Sequence, residues 1–178
     1  MPFETCYPVV LKAEAGEDLA EAWEPAPKDD SPTFCGINRA YNKTWAGWAI
    51  IDANLKAGVD PKTWTQDQEL MDLVKAFYYA LWTSLCLDQI LTATLQASIF
   101  GGVFNDGPRV VGMLQYVLGV PVDEDLGPGT LAAIAKEENA GHGQAVTDQL
   151  NLKRIQHYAT TAKPEYVRGL VLRVFNGA

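Results

Sequence analysis

The stretch FETCYPVVLKAEAG, residues 3–16, predicts a helix that ends in a glutamate and a glycine. Glu14 continues the helical stripe formed by Phe3, Tyr7, Val10 and Leu11. It therefore lies on the buried face, at the helix end where unpaired carbonyls concentrate negative potential. Because both surroundings disfavour a carboxylate, we expect a raised pKa for Glu14. The stripe thus indicates either a general acid or an ordinary last-turn glutamate.

Composition indicates a globular protein that does not bind nucleic acid. The chain has 178 residues, of which 48% are hydrophobic, enough for the core of one domain. Lys and Arg number 14 against 22 Asp and Glu, which gives a net charge of −8. Since no basic stripe is present, a polyanion such as DNA is not an expected partner.

Cysteine and histidine usage predicts neither a disulfide framework nor a metal site. Cys6, Cys35 and Cys86 are odd in number and lack paired spacing, so we expect them to be small buried side chains. His142 and His157 are isolated from other ligand types. We find no nucleotide-binding or GxSxG motif, and no cofactor is expected.

No segment has the pattern of a secretory signal or of a membrane-spanning helix. The first 16 residues lack a basic start and a continuous apolar core. The most apolar later stretch, ILTATLQASIFGGVF (90–104), is too short and too polar to cross a bilayer. We therefore expect synthesis in the cytoplasm without a signal peptide, and no stable membrane insertion.

Most of the remaining sequence has helical periodicity. Five further segments predict helices. These helices are expected at 67–82, 108–119, about 127–138, Val146–Tyr158 and Pro164–Val174. In the segment 108–119, Pro108 is expected in the first turn and Gly119 as the stop. In the segment of about 127–138, Thr130 or the preceding glycine is expected as the cap. The segment 16–45 is rich in proline and lacks a sustained period, so it predicts a long loop or a small hairpin.

Several segments together carry a resemblance that no single one would establish. They occur in the order VVLKAEAG (9–16), SPTFCGINRAYNKTWAGWAIID (31–52), LWTSLCLDQI (81–90), IFGGVFNDGPRVVGMLQ (99–115) and DEDLGPGTLAAI (123–134), with Arg154, Tyr158 and RGLVLR (168–173) after them. This order resembles glycoside hydrolase family 108, N-acetylmuramidases that include many phage endolysins. Glu14 matches the acid of the family's Glu-Gly-Gly, and Thr33, Gly36 and Ile37 match the end of its following loop.

The resemblance implies a mainly α, lysozyme-like fold, a single muramidase domain over residues 1–178. It implies hydrolysis of the β-1,4 bond between N-acetylmuramic acid and N-acetylglucosamine, with Glu14 as catalytic acid. The expected partner is the glycan strand of peptidoglycan in the cell wall. A monomer is expected, released to the wall with the help of a holin, a partner protein that opens the membrane.

Glycosidases of this kind usually need a second carboxylate, and an aromatic platform often supports the sugar rings. We select Asp30 as that carboxylate, because it directly precedes a matching segment; the other acids of the loop are Glu17, Asp18 and Asp29. Further sugar contacts are expected from Thr33, Tyr41, Trp45, Asn105 and Gln115. The alternatives are a turn hydroxyl for Thr33 and a turn between helices for Asn105, and Trp48 is expected in the core.

The chain departs from the family pattern at three places, and two of these departures, EAG and Gly101, motivate an alternative function. The chain has EAG at 14–16 in place of Glu-Gly-Gly, KDDSPT (28–33) without a glycine pair, and Gly101 where the family has an aspartate. A peptidoglycan-binding or phage structural module with weak or no activity is therefore the alternative. A third possibility is an enzyme that acts on another amino-sugar polymer such as chitin.

Overall fold

The computed structural model describes residues 3–26 and 31–175, and this part of the chain is mainly helical. Its α-helices are Phe3–Ala15 (α1), Gly47–Ala57 (α2), Gln68–Ser84 (α3), Ala93–Asp106 (α4), Arg109–Leu118 (α5), Pro128–Asn139 (α6), Gly143–Thr161 (α7) and Pro164–Phe175 (α8). Short 3₁₀ helices cover Pro61–Gln66 and Leu87–Gln89, and the strands are Trp23–Glu24 (β1), Thr33–Phe34 (β2) and Ile37–Asn38 (β3). The predicted fold class, mainly α with a small hairpin after the first helix, is confirmed.

The chain divides into two compact units. The first takes in the chain up to Val10 and from Trp82 onwards, and the second is Leu11–Leu81. The prediction of a single domain over residues 1–178 stays a prediction. None of the helices in the described part of the chain is long and apolar enough to cross a membrane.

The second unit is built around an antiparallel sheet with the order β1-β2-β3. The β2–β3 turn consists of Cys35 and Gly36, whose φ angles are +47° and +74°. Two left-handed residues match the right-handed twist of the strands, which is why glycine suits this turn. Cys35 is held there by two hydrogen bonds: its N–H donates to the Ala22 carbonyl at 2.7 Å, and its carbonyl accepts from the Tyr78 hydroxyl at 2.9 Å.

The core of the second unit packs α3 and aromatic residues beneath the sheet. Leu70, Val74 and Tyr78 recur on one face of α3, and all three are fully buried. The fully buried Trp64 has its ring centre 5.0 Å from Trp23 and 6.2 Å from Phe34. Large aromatic area is therefore removed from water directly under β1 and β2.

The first unit has a separate aromatic core and a buried cation. Phe3, Trp82 and Phe100 are mutually in edge contact, with ring centres 5.2 to 6.2 Å apart. Arg154 is fully buried, and it donates to the Ser98 carbonyl at 3.2 Å and to the Tyr158 hydroxyl at 3.5 Å. Such bonds are what a buried guanidinium requires.

The predicted range of α6, about 127–138, lies within one residue of the observed helix, but its predicted cap is wrong. The helix begins at Pro128 with Gly127 as N-cap, so neither Thr130 nor Gly129 caps it. Proline suits the first helical position because its missing N–H would be unpaired there in any case. Pro108 likewise is the N-cap of α5 and does not lie in the first turn, whereas Gly119 ends that helix as predicted, with φ +68°.

Candidate active site

Glu14 lies in the last turn of α1 and is half-buried, as its place on the apolar stripe predicts. Ala15 follows as a helical, fully buried residue, and Gly16 ends the helix with φ +80°. The left-handed conformation that favours glycine is thus required only at Gly16. The departure from Glu-Gly-Gly places alanine where the backbone is helical, and it leaves the helix end intact.

Backbone hydrogen bonds connect the end of α1 to the loop that leads to the sheet. The Leu19 N–H donates to the Gly16 carbonyl at 3.1 Å, and the Glu21 N–H donates to the Ala15 carbonyl at 2.9 Å. These bonds use carbonyls that the helix end leaves unpaired. The turn that follows Glu14 is therefore an ordered structure.

The acids Glu17, Asp18, Asp29 and Asp30 follow Glu14 in the sequence before β2. Glu17 forms a 2.6 Å ion pair with Lys12, and that hydrogen bond lowers the pKa of the Glu17 carboxyl. Asp18 is exposed. Asp30, selected as the second carboxylate, and Asp29 lie outside the described residues. Among these acids, Glu17 is an ionised surface group with its own cation.

Thr33 lies on β2, half-buried, with its hydroxyl bonded inside the turn network. The Asn38 amide nitrogen donates to Thr33 Oγ1 at 3.1 Å and to the Ser31 carbonyl at 3.2 Å. The Asn38 amide oxygen accepts from the Ala40 N–H at 2.9 Å. Asn38, which sequence analysis missed, therefore fixes both the Thr33 hydroxyl and the chain after β3.

Of the two predicted platform residues, Tyr41 is open to solvent and Trp45 is anchored. Tyr41 is 88% exposed. The half-buried Trp45 donates its indole N–H to the Leu73 carbonyl at 3.3 Å and packs edge to face on Trp48 at 5.1 Å. A Cβ on Gly47 would lie 2.3 Å from the Trp45 ring, so this packing requires glycine. Trp48 is 3% exposed, which confirms its predicted place in the core.

Arg39 is a second residue that sequence analysis missed. Its guanidinium makes two parallel hydrogen bonds of 2.7 Å to the Asp52 carboxylate, and it lies 5.1 Å above the Trp48 ring. Its hydrogen bonds lower the pKa of the Asp52 carboxyl. This clamp ties the end of β3 to α2 and so positions the segment that carries Tyr41. No sequence motif marks the pair, because its members are 13 positions apart in the sequence and are joined by irregular chain and helix.

Asn105 and Gln115 belong to the first unit, and both are engaged within it. Asn105 donates from the last turn of α4 to the Gly101 carbonyl at 2.8 Å and accepts from the Arg173 guanidinium. Gln115 is 1% exposed; its amide oxygen accepts the backbone N–H groups of Asp123 and Glu124 at 3.0 and 2.9 Å. A sugar contact by Gln115 would require this network to break.

Comparison with known proteins gives one informative likeness. No family model matches the chain, and no curated protein matches it in sequence. Among solved structures, the SagA protein of Brucella abortus is similar with a TM-score of 0.64 and 23% identity, over 98% of this chain and 92% of that chain. The likeness shows a shared fold. Membership of glycoside hydrolase family 108 stays a prediction.

Proposed function

We propose that this protein is a peptidoglycan hydrolase that cleaves the β-1,4 bond between N-acetylmuramic acid and N-acetylglucosamine. The observation that carries the proposal is the position of Glu14, half-buried in the last turn of the first helix and followed by an ordered turn into a small antiparallel sheet. The fold shared with SagA over nearly the whole chain supports it. So does the order of matching sequence segments.

In the proposed reaction, Glu14 donates its proton to the glycosidic oxygen as the bond to the anomeric carbon breaks. Water supplies the hydroxyl that the anomeric carbon of N-acetylmuramic acid gains, and its remaining proton restores the acid. Asp30 is the proposed partner that activates water or stabilises the positive charge at the sugar ring. The exposed Tyr41 is a proposed sugar contact, and it follows the clamp between Arg39 and Asp52.

The test compares Glu14→Gln with Glu69→Gln on purified peptidoglycan. Glu69 is an exposed glutamate in the first turn of α3, so its variant removes one carboxylate of the same unit without touching α1. Loss of a general acid is expected to reduce the rate of turbidity loss by about 10²- to 10⁴-fold, whereas Glu69→Gln keeps the wild-type rate. Mass spectrometry of the products is expected to find N-acetylmuramic acid at the reducing end. A Glu14→Gln protein that folds and still lyses the wall at full rate contradicts the assignment.

A non-catalytic wall-binding module is the second candidate, and Gly101 favours it. Gly101 is buried in α4 where the family resemblance places an aspartate, so no carboxylate is available at that position. Its carbonyl is instead the acceptor of the Asn105 amide. This candidate predicts sedimentation with purified wall but no release of reducing ends, for the wild type and Glu14→Gln alike.

A further inference from the structure

The last helix, α8, carries more apolar side chains than the fold covers. Tyr166 is 58% exposed and Leu172 is 49% exposed. Among the side chains of α8 that the structure describes, only Val174 is buried, at 2%. Apolar surface left open along a helix marks an interaction site more often than an isolated exposed leucine does.

The same end of the chain is basic, although the protein as a whole is acidic. The total is 14 Lys and Arg against 22 Asp and Glu, with a net charge of −8. From residue 153 onwards the balance is reversed: Glu165 is the single acid, and the basic residues are Lys153, Arg154, Lys163, Arg168 and Arg173. Because Arg154 is buried, the other four supply the surface charge.

The exposed face of α8 combines these two properties in a definite order. At 100° per residue, Gly169 and Leu172 lie in the middle of that face on the stripe that begins at Glu165, with Arg168 on one side and both Tyr166 and Arg173 on the other. A groove of about 400 Å³ runs along the second side. A Cβ on Gly169 would meet no atom within 4 Å, so the space above the helix is open. The groove is lined by Ala162, Lys163, Tyr166, Gly169, Leu170 and Arg173.

We propose that α8 binds along the surface of a membrane that contains anionic phospholipids. Lys163 and Arg168 would contact headgroup phosphates, while Tyr166 and Leu172 would enter the boundary between headgroups and acyl chains. Exposed apolar side chains with cations on both sides favour such a surface. With 12 residues, about 18 Å, α8 is too short to cross the bilayer. This interaction does not depend on the proposed hydrolase activity.

Charge favours lipid over a second copy of the chain. From residue 163 onwards the chain has three cations, Lys163, Arg168 and Arg173, against the single acid Glu165, so two copies that met through this segment would bring net positive charges together. Like charges in contact oppose that pairing, whereas phosphate headgroups complement it.

The first experiment measures sedimentation of the full chain with two kinds of vesicles, one of phosphatidylcholine alone and one of phosphatidylcholine with phosphatidylglycerol. Binding is expected only to the second kind, and it should weaken in about 0.5 M NaCl because the attraction is partly electrostatic. Absence of binding to the anionic vesicles, or equal binding to both kinds, overturns the proposal.

The second experiment uses variants with matched controls. Lys163→Glu with Arg168→Glu is compared with Lys56→Glu plus Lys62→Glu, which makes the same change in net charge at exposed positions of the other unit. The first pair is expected to reduce the vesicle partition coefficient about tenfold or more, and the second to leave it nearly unchanged. Leu172→Ser should weaken binding, whereas Leu55→Ser, at a leucine 48% exposed on α2, should not.

Circular dichroism and thermal unfolding establish that each variant is folded. An equal loss in both charge-reversal pairs would assign the binding to net charge and overturn the role of α8. Self-association through α8 is a further contrary outcome: it would show as a dimer in sedimentation velocity of the wild type that Leu172→Ser converts to monomer.

Discussion

In the second unit, a local sequence pattern predicts the position of some residues, whereas partners distant in sequence determine the role of others. The helical stripe predicted the half-buried position of Glu14, since burial follows from spacing alone. Asn38 and Arg39 could not be predicted in the same way. Their roles depend on Thr33 and Asp52, which irregular chain brings within hydrogen-bond distance. Spacing carries no information about such contacts.

The three cysteines give a prediction at the same scale. Cys6 and Cys35 are 1% and 0% exposed, and burial raises their thiol pKa values to about 11 and about 12. Cys86 is half-buried beside α6, where it lines a groove of about 490 Å³. Because a thiolate that can be reached is the reactive form, one thiol per native chain is expected to react with a disulfide reagent at about pH 8.

The measurement is the absorbance of the released thiolate, with Cys86→Ala as the control variant. The native Cys86→Ala protein is expected not to react with the reagent. In denaturant, all three cysteines of the wild type should react. Rapid labelling of native Cys86→Ala would contradict the burial of the remaining thiols.

Helices and their glycine ends follow from local sequence in this chain, whereas the caps at some helix starts depend on tertiary contacts. The predicted segments 67–82, 108–119, Val146–Tyr158 and Pro164–Val174 all fall within or nearly within observed helices. The predicted cap of α6 was wrong because the Thr130 hydroxyl accepts from the Gln115 amide at 3.0 Å and does not cap its helix. A residue with capping chemistry can be used elsewhere, and one sequence does not reveal that partner.

The start of α4 is capped by a residue from another helix, and this gives a prediction. Thr92 is the N-cap residue of α4, but its side chain makes no capping hydrogen bond. Instead, the Glu138 carboxylate of α6 accepts the backbone N–H of Leu91 at 3.0 Å and that of Thr92 at 2.6 Å. Glu138→Ala is expected to lower the free energy of unfolding by about 1–2 kcal/mol, because it leaves N–H groups at a helix start without an acceptor.

Urea denaturation measures the change, and the neighbouring Glu137→Ala is the control. Glu137 pairs with His142 at 2.9 Å on the surface, so its loss is expected to cost less than about 0.5 kcal/mol. Equal midpoints for the two variants would show that the cap contributes nothing beyond a surface charge.

The whole molecule shares its fold with SagA at 23% identity, and no family model matches its sequence. The fold is specified by the pattern of buried apolar positions, which many residue combinations satisfy. That pattern is why a mainly α chain with a small hairpin could be predicted from the sequence. Residue roles such as that of Gln115 could not be, since its buried amide joins α5 to the loop before α6 through contacts that no spacing records.

Acid stability is the property of the whole molecule that tests both units together. In the second unit, the hydrogen bonds of Arg39 lower the pKa of Asp52. In the first, the Asp125 N–H and then the Gln115 amide lower the pKa of Asp123. A carboxyl whose pKa is lower in the folded state stabilises the fold above its ordinary pKa near 4. That contribution is lost as the pH falls through the folded-state pKa, so the Tm should be constant from about pH 5 to 7 and fall below about pH 4.

The contributions of Asp52 and Asp123 should differ in their dependence on salt, because Asp52 has a charged partner and Asp123 has neutral donors. About 0.5 M NaCl is expected to reduce the difference in Tm between wild type and Asp52→Asn at pH 7, since both members of that ion pair are partly exposed. The difference between wild type and Asp123→Asn should be almost insensitive to salt, and both differences should vanish near pH 2. A difference that grew as the pH fell would show that the carboxyl is protonated more readily in the folded protein, against the sign derived from its hydrogen bonds.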